Sequence, residues 1–249
     1  MPCISIVMPA YNCESTLIEA VESVQRQSLQ DWELLIVDDA SEDSTLALAR
    51  GLAAADKRII VSSRPHNSGG AVAPRNEAVA AASGDYIAFL DADDKWCEDK
   101  LESQLFYMQR AGLDLSGTWV TVCDDQGAVT GRRCPEELVT FESMLKNNAL
   151  ACSSVMCKSY WLKKHPFPSV GHEDYALWLI LLQEQVRAGI LQRSLTFYRK
   201  HKRSLSANKF KVVPYFWHIY RRLLKFSWFQ SAVFTCRYMA LAALRDLKR

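Results

Sequence analysis

The turn that follows the first apolar segment reads Pro9-Ala10-Tyr11-Asn12 and holds no glycine. The G-x-G-x-x-G turn that brings a backbone against a dinucleotide pyrophosphate is therefore missing. No G-x-x-x-x-G-K-[ST] loop occurs either. A bound nucleotide would need side chains and a metal, not a glycine cradle, to hold its phosphates. The eight cysteines include no C-x-x-C and no paired metal-ligand spacing. They fit reduced thiols in a cytosol better than a disulfide frame. No uninterrupted apolar run reaches about 18 residues, so no bilayer span is expected. The start, MPCISIVMPAYN, has no basic leader and too short an apolar run for a signal core, so secretion is not expected. Acid is nearly absent from the end: from Arg193 onward there are fourteen Lys and Arg against one acid, Asp246. The overall charge of +2 thus conceals −11 over the first 192 residues. The C-terminal portion is expected to face something anionic, a membrane surface or nucleic acid.

What is present describes a soluble α/β chain. Its 249 residues, 49% apolar and 23% charged, suit one large domain or a domain with an appendage. Strand-like runs at 4–8, 32–37, 58–62 and 86–90 alternate with helical patterns at 15–27, 46–55 and 74–82. That alternation predicts a mostly parallel, helix-covered sheet, with ligands beyond the carboxyl ends of its strands. Ser41-Glu42-Asp43-Ser44-Thr45 supplies helix-start chemistry. Further on, helices are predicted at 101–110 and from His172 through Gln185. Strands are predicted at 118–123, after a turn at 124–127, at 153–156 and at 194–198.

Gly84 to Trp96, GDYIAFLDADDKW, organises the rest. An uncharged strand, Tyr86 to Leu90, ends at Asp91, Asp93 and Asp94. Burying such carboxylates without partners costs several kcal/mol each, so they are expected at an edge where water or ligand meets them. Residues two apart in an extended chain share a side, so Asp91 and Asp93 can converge on one hard cation, Mg²⁺ or Mn²⁺. The plainer alternative is that Asp94 caps the next helix and the others are solvated. Glu173-Asp174, opening the apolar segment Tyr175 to Leu179, equally reads as acids complementing a helix dipole. In the tail, His218, Arg221, Arg222 and Lys225 are spaced as one basic stripe opposite Phe216, Ile219, Tyr220 and Leu223. This is the composition of an interfacial membrane segment, with packing on the domain as the alternative.

These pieces, in this order, resemble the family 2 glycosyltransferases, inverting enzymes of the GT-A nucleotide-diphospho-sugar fold. The resemblance rests on Ser5-Ile6-Val7-Met8-Pro9-Ala10-Tyr11-Asn12, on Trp32 to Ser41 with its Asp38-Asp39, on Gly84 to Asp94, and on His172 to Leu179. It covers roughly residues 4–205. It implies a catalytic domain over 1–207, with a nucleotide-binding half at 1–94 and an acceptor-binding half at 95–207, followed by a basic, aromatic helical tail at 208–249. It also implies that Pro9, Ala10, Tyr11 and Asp39 cradle the donor base, usually uracil. Asp91 would then sit near the ribose, Asp93 would bind the metal that bridges the diphosphate, and Asp174 would be the catalytic base. Asp38 and Glu173 accompany them. Arg75 stands in Pro74-Arg75-Asn76 where the family has an arginine near the nucleotide, with one extra residue after Asn67. His201 resembles a position that closes over the diphosphate.

The implied reaction is a single displacement from a nucleotide-diphosphate sugar, a UDP-sugar by resemblance, that turns an α-linked donor into a β-linked product. Small members resembling this chain build bacterial O-antigen, lipopolysaccharide or capsule. They work at the cytoplasmic face of the inner membrane, on lipid-linked acceptors. Two other readings weigh less. A sugar nucleotidyltransferase would want a glycine-rich, arginine-containing loop where Ala10-Tyr11-Asn12-Cys13 stands. A non-catalytic nucleic-acid-binding protein would leave the acidic edge repelling phosphate.

Overall fold

The structure, a computed structural model, describes residues 3–200 and 209–247. Its first part alternates strand and helix: β1 (Ile4–Ala10), α1 (Leu17–Gln25), β2 (Trp32–Asp38), α2 (Thr45–Ala55), β3 (Ile59–Ser63), α3 (Val72–Ala81) and β4 (Tyr86–Phe89). The four strands are parallel and lie in the order β3-β2-β1-β4. Period-two burial explains why they sit between two helical layers. Ile4, Ile6, Met8 and Ala10 of β1 join one core with Leu17, Val21 and Ala49, whereas Val7 joins a second core with Ala78 and Val79. β4 alternates likewise, with Ile87 and Phe89 on one face and Ala88 on the other.

The second part is β5 (Lys95–Trp96), α4 (Lys100–Ala111), β6 (Leu115–Cys123), β7 (Val129–Arg133), β8 (Leu138–Val139), α5 (Phe141–Lys146), β9 (Met156–Lys158), α6 (Ser159–Lys164), α7 (Glu173–Gln183) and β10 (Ala188–Arg199). It extends the same sheet in the order β4-β9-β6-β10-β5. β9 runs antiparallel to both β4 and β6, while β6 and β10 are parallel. The α/β class and GT-A-like architecture expected from the sequence are what the chain forms.

Gly84 lets β4 start hard against β1. A Cβ there would lie 2.7 Å from the Ser5 nitrogen, and the glycine N–H donates to Ser5 Oγ at 2.8 Å. Glu33 of β2 ties the same corner by accepting from Ser5 Oγ at 2.6 Å and Ser83 N at 2.7 Å.

Two expectations need correction. The predicted strand at 153–156 is a 3₁₀ turn, Cys152–Ser154, and the strand begins only at Met156. Ser154 N–H and Oγ both bond the Ala151 carbonyl, which closes the turn. The predicted basic stripe is also broken. Helix α8 (Lys209–His218) passes into a π-helical turn, Ile219–Leu223, and Lys225 ends it with a left-handed φ of 56° before α9 (Trp228–Leu247). Lys225 therefore leaves the helical face of Arg221 and Arg222. The opposite face packs on the domain: Phe216, Ile219 and Tyr220 are at most 2% exposed. Among the described residues no helix is long and apolar enough to cross a membrane.

Candidate active site

From β1 the chain builds outward through β2 and β3, then returns to place β4 on the other side of β1. A reversal of this kind opens a crevice at the carboxyl ends of the strands. The cleft found there has a volume of about 600 Å³. It is lined by Pro9 to Cys13 at the end of β1 and just beyond it, Asp39 after β2, Gly69, Gly70, Ala71, Pro74 and Arg75 around the start of α3, and Asp91 to Asp93 after β4.

One wall is laced by backbone donors. The amides of Asn12 and Cys13 donate to Ser41 Oγ at 3.0 Å and Thr45 Oγ1 at 2.8 Å, and Asn12 Oδ1 accepts from Glu42 N at 2.8 Å. Asn12 and Ala40 take left-handed φ values of 46° and 58° at the two strand exits. Asp43 Oδ1 accepts from Thr45 N at 2.9 Å, so the predicted start of α2 uses Asp43 where Ser44 makes no side-chain cap. Asp39 organises the facing loop. Its carboxylate accepts from Arg64 Nη1 at 3.1 Å, Ser68 N at 2.9 Å and Ser68 Oγ at 2.8 Å.

The acidic turn has three different environments. Asp91 pairs with Arg75 at 2.6 Å. Asp93 lines the cleft, and its carbonyl accepts from Arg199 Nε at 3.0 Å. Asp94 is buried, accepts from Arg199 N at 2.7 Å, and leaves Oδ2 without a partner among the described residues. Burial, then the charges of Asp93 and Asp91, push its carboxyl well above the ordinary range. Arg199 also reaches Glu19 at 2.6 Å and the Asp125 carbonyl at 3.1 Å, which pins the turn to α1 and the β6–β7 connection.

No group of three or more His, Cys, Asp or Glu able to hold a metal occurs among the described residues. Asp93 is a carboxylate of the acidic turn that lines the cleft. One carboxylate fits a hard ion completed by substrate phosphates and water, and does not fit an all-protein cage.

Arg75 joins the two halves. It is 5% exposed, and its second nitrogen, Nη1, donates to Glu173 Oε1 at 2.6 Å on the first turn of α7. Burial works against its charge, but Asp91 and Glu173 beside it keep the guanidinium firmly protonated. Asp174 follows, with Oδ1 accepting from Tyr175 N at 2.7 Å. Burial first, then the negative charges of Glu173 and Asp91, raise its pKa to about 6 against the opposing pull of Arg75.

The structure thus brings Pro9, Ala10, Tyr11, Asp39, Arg75, Asp91 and Asp93 to one cleft, as their order in the sequence predicts. Glu173 joins through Arg75. Asp174 is not in the lining but shares the field of Asp91, Glu173 and Arg75. Asp38 is buried behind the wall, accepting from Ser41 N at 3.2 Å, and does not line the cleft. His201 lies outside the described residues. Sequence reasoning gave no role to Arg199, and it did not anticipate the burial of Asp94.

Comparison with known proteins agrees. Residues 5–164 match the model of "Glycosyl transferase family 2". The chain is 36% identical over 225 residues, 89% of its length and 88% of the relative's, to the putative teichuronic acid biosynthesis glycosyltransferase TuaG of Bacillus subtilis. It is also 36% identical over 211 residues, 85% of its length and 82% of the relative's, to WfaP of Escherichia coli, a UDP-Glc:alpha-D-GlcNAc-diphosphoundecaprenol beta-1,3-glucosyltransferase. Among solved structures it superposes on S. aureus TarS in complex with UDP, with a TM-score of 0.71 at 21% identity, covering 87% of this chain and 64% of that one. The chain therefore spans under two thirds of that TarS chain. The mannosyltransferase PcManGT of Pyrobaculum calidifontis, in complex with GDP-Man and Mn2+, gives a TM-score of 0.71 at 18% identity, covering 97% and 70%. These two likenesses are of fold.

Proposed function

The chain belongs to glycosyl transferase family 2, and from that premise we propose that it transfers one sugar from a UDP-sugar to a hydroxyl of a lipid-linked glycan, with inversion to a β-linkage. The observation that carries this reading is Arg75, bonded at 2.6 Å both to Asp91 at the end of β4 and to Glu173 beside Asp174. A donor-side strand and an acceptor-side helix are thereby held at one hollow.

In this reading Pro9, Ala10, Tyr11 and Asp39 hold the nucleotide base, Asp91 and Arg75 flank the ribose and diphosphate, and Asp93 carries Mn²⁺ or Mg²⁺. When bound, the cation supplies Lewis-acid stabilisation of the departing diphosphate charge. Asp174 takes the proton from the acceptor oxygen as that oxygen bonds to the anomeric carbon. The bond from that carbon to the diphosphate oxygen breaks, and its electron pair leaves with the nucleoside diphosphate. A carboxyl raised to about 6 remains ionised at neutral pH yet is more basic than an ordinary aspartate.

WfaP is named for UDP-glucose and a diphosphoundecaprenol-linked acceptor, and its similarity over most of this chain supports a UDP-sugar donor and a polyprenyl-diphosphate glycan. Such an acceptor places the work at the cytoplasmic face of the inner membrane. Membrane contact falls to the first turn of α9, where Trp228 and Phe229 are 69% and 74% exposed and follow Arg222 and Lys225 closely in the chain, because the apolar face of α8 is already covered. Asp174→Asn lowers transfer by about 10²- to 10⁴-fold while calorimetry still detects donor binding. Full activity in that variant removes Asp174 from the mechanism.

A further inference from the structure

The corner that carries Glu173 and Asp174 is gripped from outside the sheet. Gly171 stands against Tyr215 of α8, where an added Cβ would lie 2.5 to 2.7 Å from three ring carbons. Its backbone lies outside the left-handed region, so close approach and not conformation demands glycine here. The next residue, His172, does adopt that region, with φ 58° and ψ 47°, as it enters α7. β-carbon sterics disfavour this geometry unless neighbours over-determine it. Those neighbours are rings: His172 lies 5.1 Å from Phe216 and 6.3 Å from Tyr215 between centroids. On the far side of the acids, Tyr175 lies 5.5 Å from Phe216, and its hydroxyl is 3.1 Å from that of Tyr220.

Helix α8 and the turn after it therefore touch Gly171, His172 and Tyr175, bracketing Glu173 and Asp174, and contribute no residue to the lining of the cleft. Phe216 is buried and would pack in any case. Tyr215 is 40% exposed, so its hold on Gly171 can be separated from folding.

We propose that Tyr215 and Phe216 are positioning residues for Asp174, clamping the Gly171–His172 turn so that the carboxylate keeps its place beside Arg75 and Glu173. The inference rests on Asp174 being the base. Tyr215 acts through the turn and touches no reacting atom.

The test compares Gly171→Ala, Tyr215→Ala, the double variant and Tyr215→Phe in the full chain, reading kcat, donor Kd, the pH profile and Tm. Gly171→Ala is expected to lower kcat by about tenfold to a hundredfold, the scale of a misplaced catalytic group, with donor Kd unchanged. It also shifts the acidic limb of the profile, because Asp174 moves relative to Glu173, Arg75, Asp91 and Cys152, the groups that face it. Tyr215→Ala alone lowers kcat less. The double variant recovers to the level of Tyr215→Ala, since the added methyl no longer meets a ring. Tyr215→Phe keeps the ring and retains wild-type kcat. Wild-type kcat in Gly171→Ala, or a double variant no better than it, overturns the clamp. Should Gly171→Ala not fold, Tyr215→Ala decides, and wild-type kcat there overturns the clamp too. An active Asp174→Asn removes the base assignment itself, whereas intact clamp variants beside a dead Asp174→Asn remove only the clamp.

Discussion

The cleft wall proposed to hold the donor and the acid corner joined to it through Arg75 are built by different forces. Around Asn12, Cys13 and Asp39 the chain is fixed by hydrogen bonds from backbone amides at 2.8 to 3.0 Å. Such bonds are short and directional, and they fix position closely. Around Asp174 the fixing groups are one guanidinium and a set of rings from α8. Ring packing is large in energy but weak in direction. The donor wall should thus tolerate distant change, while the acid corner should register changes in a helix some forty residues further along the chain.

The largest effects should separate the two regions most cleanly. Asp174→Asn is expected to lower kcat by about 10²- to 10⁴-fold, the range of a lost general base, with donor Kd unchanged. A donor Kd that weakens in step would break the distinction. On the other side, EDTA should stop transfer and Mn²⁺ restore it, an effect of several kcal/mol if a Lewis acid is lost. Indifference to chelation removes Asp93 from that part.

Arg75→Ala strikes the junction. It strands Asp91 and Glu173, 27% and 21% exposed at the side chain, without their shared cation. Removing one partner of a buried pair costs about 3–5 kcal/mol. A thermal melt should show a lowered Tm, and transfer should fail. An unchanged Tm would mean that the two halves are held independently.

The pH profile sharpens the comparison further. In the proposed mechanism Asp174 must be ionised to act as the base, and its pKa is raised to about 6. kcat/KM should therefore be flat above that value and fall about tenfold per pH unit below it, a limb absent from the donor-binding profile. The smallest effect concerns neither wall. Trp228→Ala with Phe229→Ala should weaken binding to anionic vesicles in flotation and leave transfer to a water-soluble acceptor unchanged. Unaltered flotation would remove the first turn of α9 from membrane contact.

The donor wall was legible in the sequence because each of its parts sits at a strand end. Pro9 to Asn12, Asp39 and Asp91 to Asp93 each terminate an apolar run, and parallel strands deliver such ends to one edge. The acid corner was legible only as residue types. Glu173-Asp174 equally described a helix start, and nothing local distinguishes an acid that complements a dipole from one raised to about 6. The tail left two readings open for a related reason. Phe216, Ile219 and Tyr220 have the spacing of a membrane-facing stripe, but amphipathicity records that a face is covered and not by what. Arg199, which bonds the Asp93 carbonyl, Glu19 and the Asp125 carbonyl, stood in the sequence only as a neighbour of His201, and nothing local marked its contacts.

By itself, the sequence determined the alternation of strand and helix, the parallel order at the first four strands, and the set of carboxylates at their ends, since these follow from periodicity along a single stretch of chain. Only the tertiary structure decided which carboxylate is paired, which is buried and which has its pKa raised to about 6, and that α8 covers the turn before Asp174. Charge state and position there depend on burial and on neighbours up to about a hundred residues away, such as Arg75 against Glu173, which no local pattern encodes.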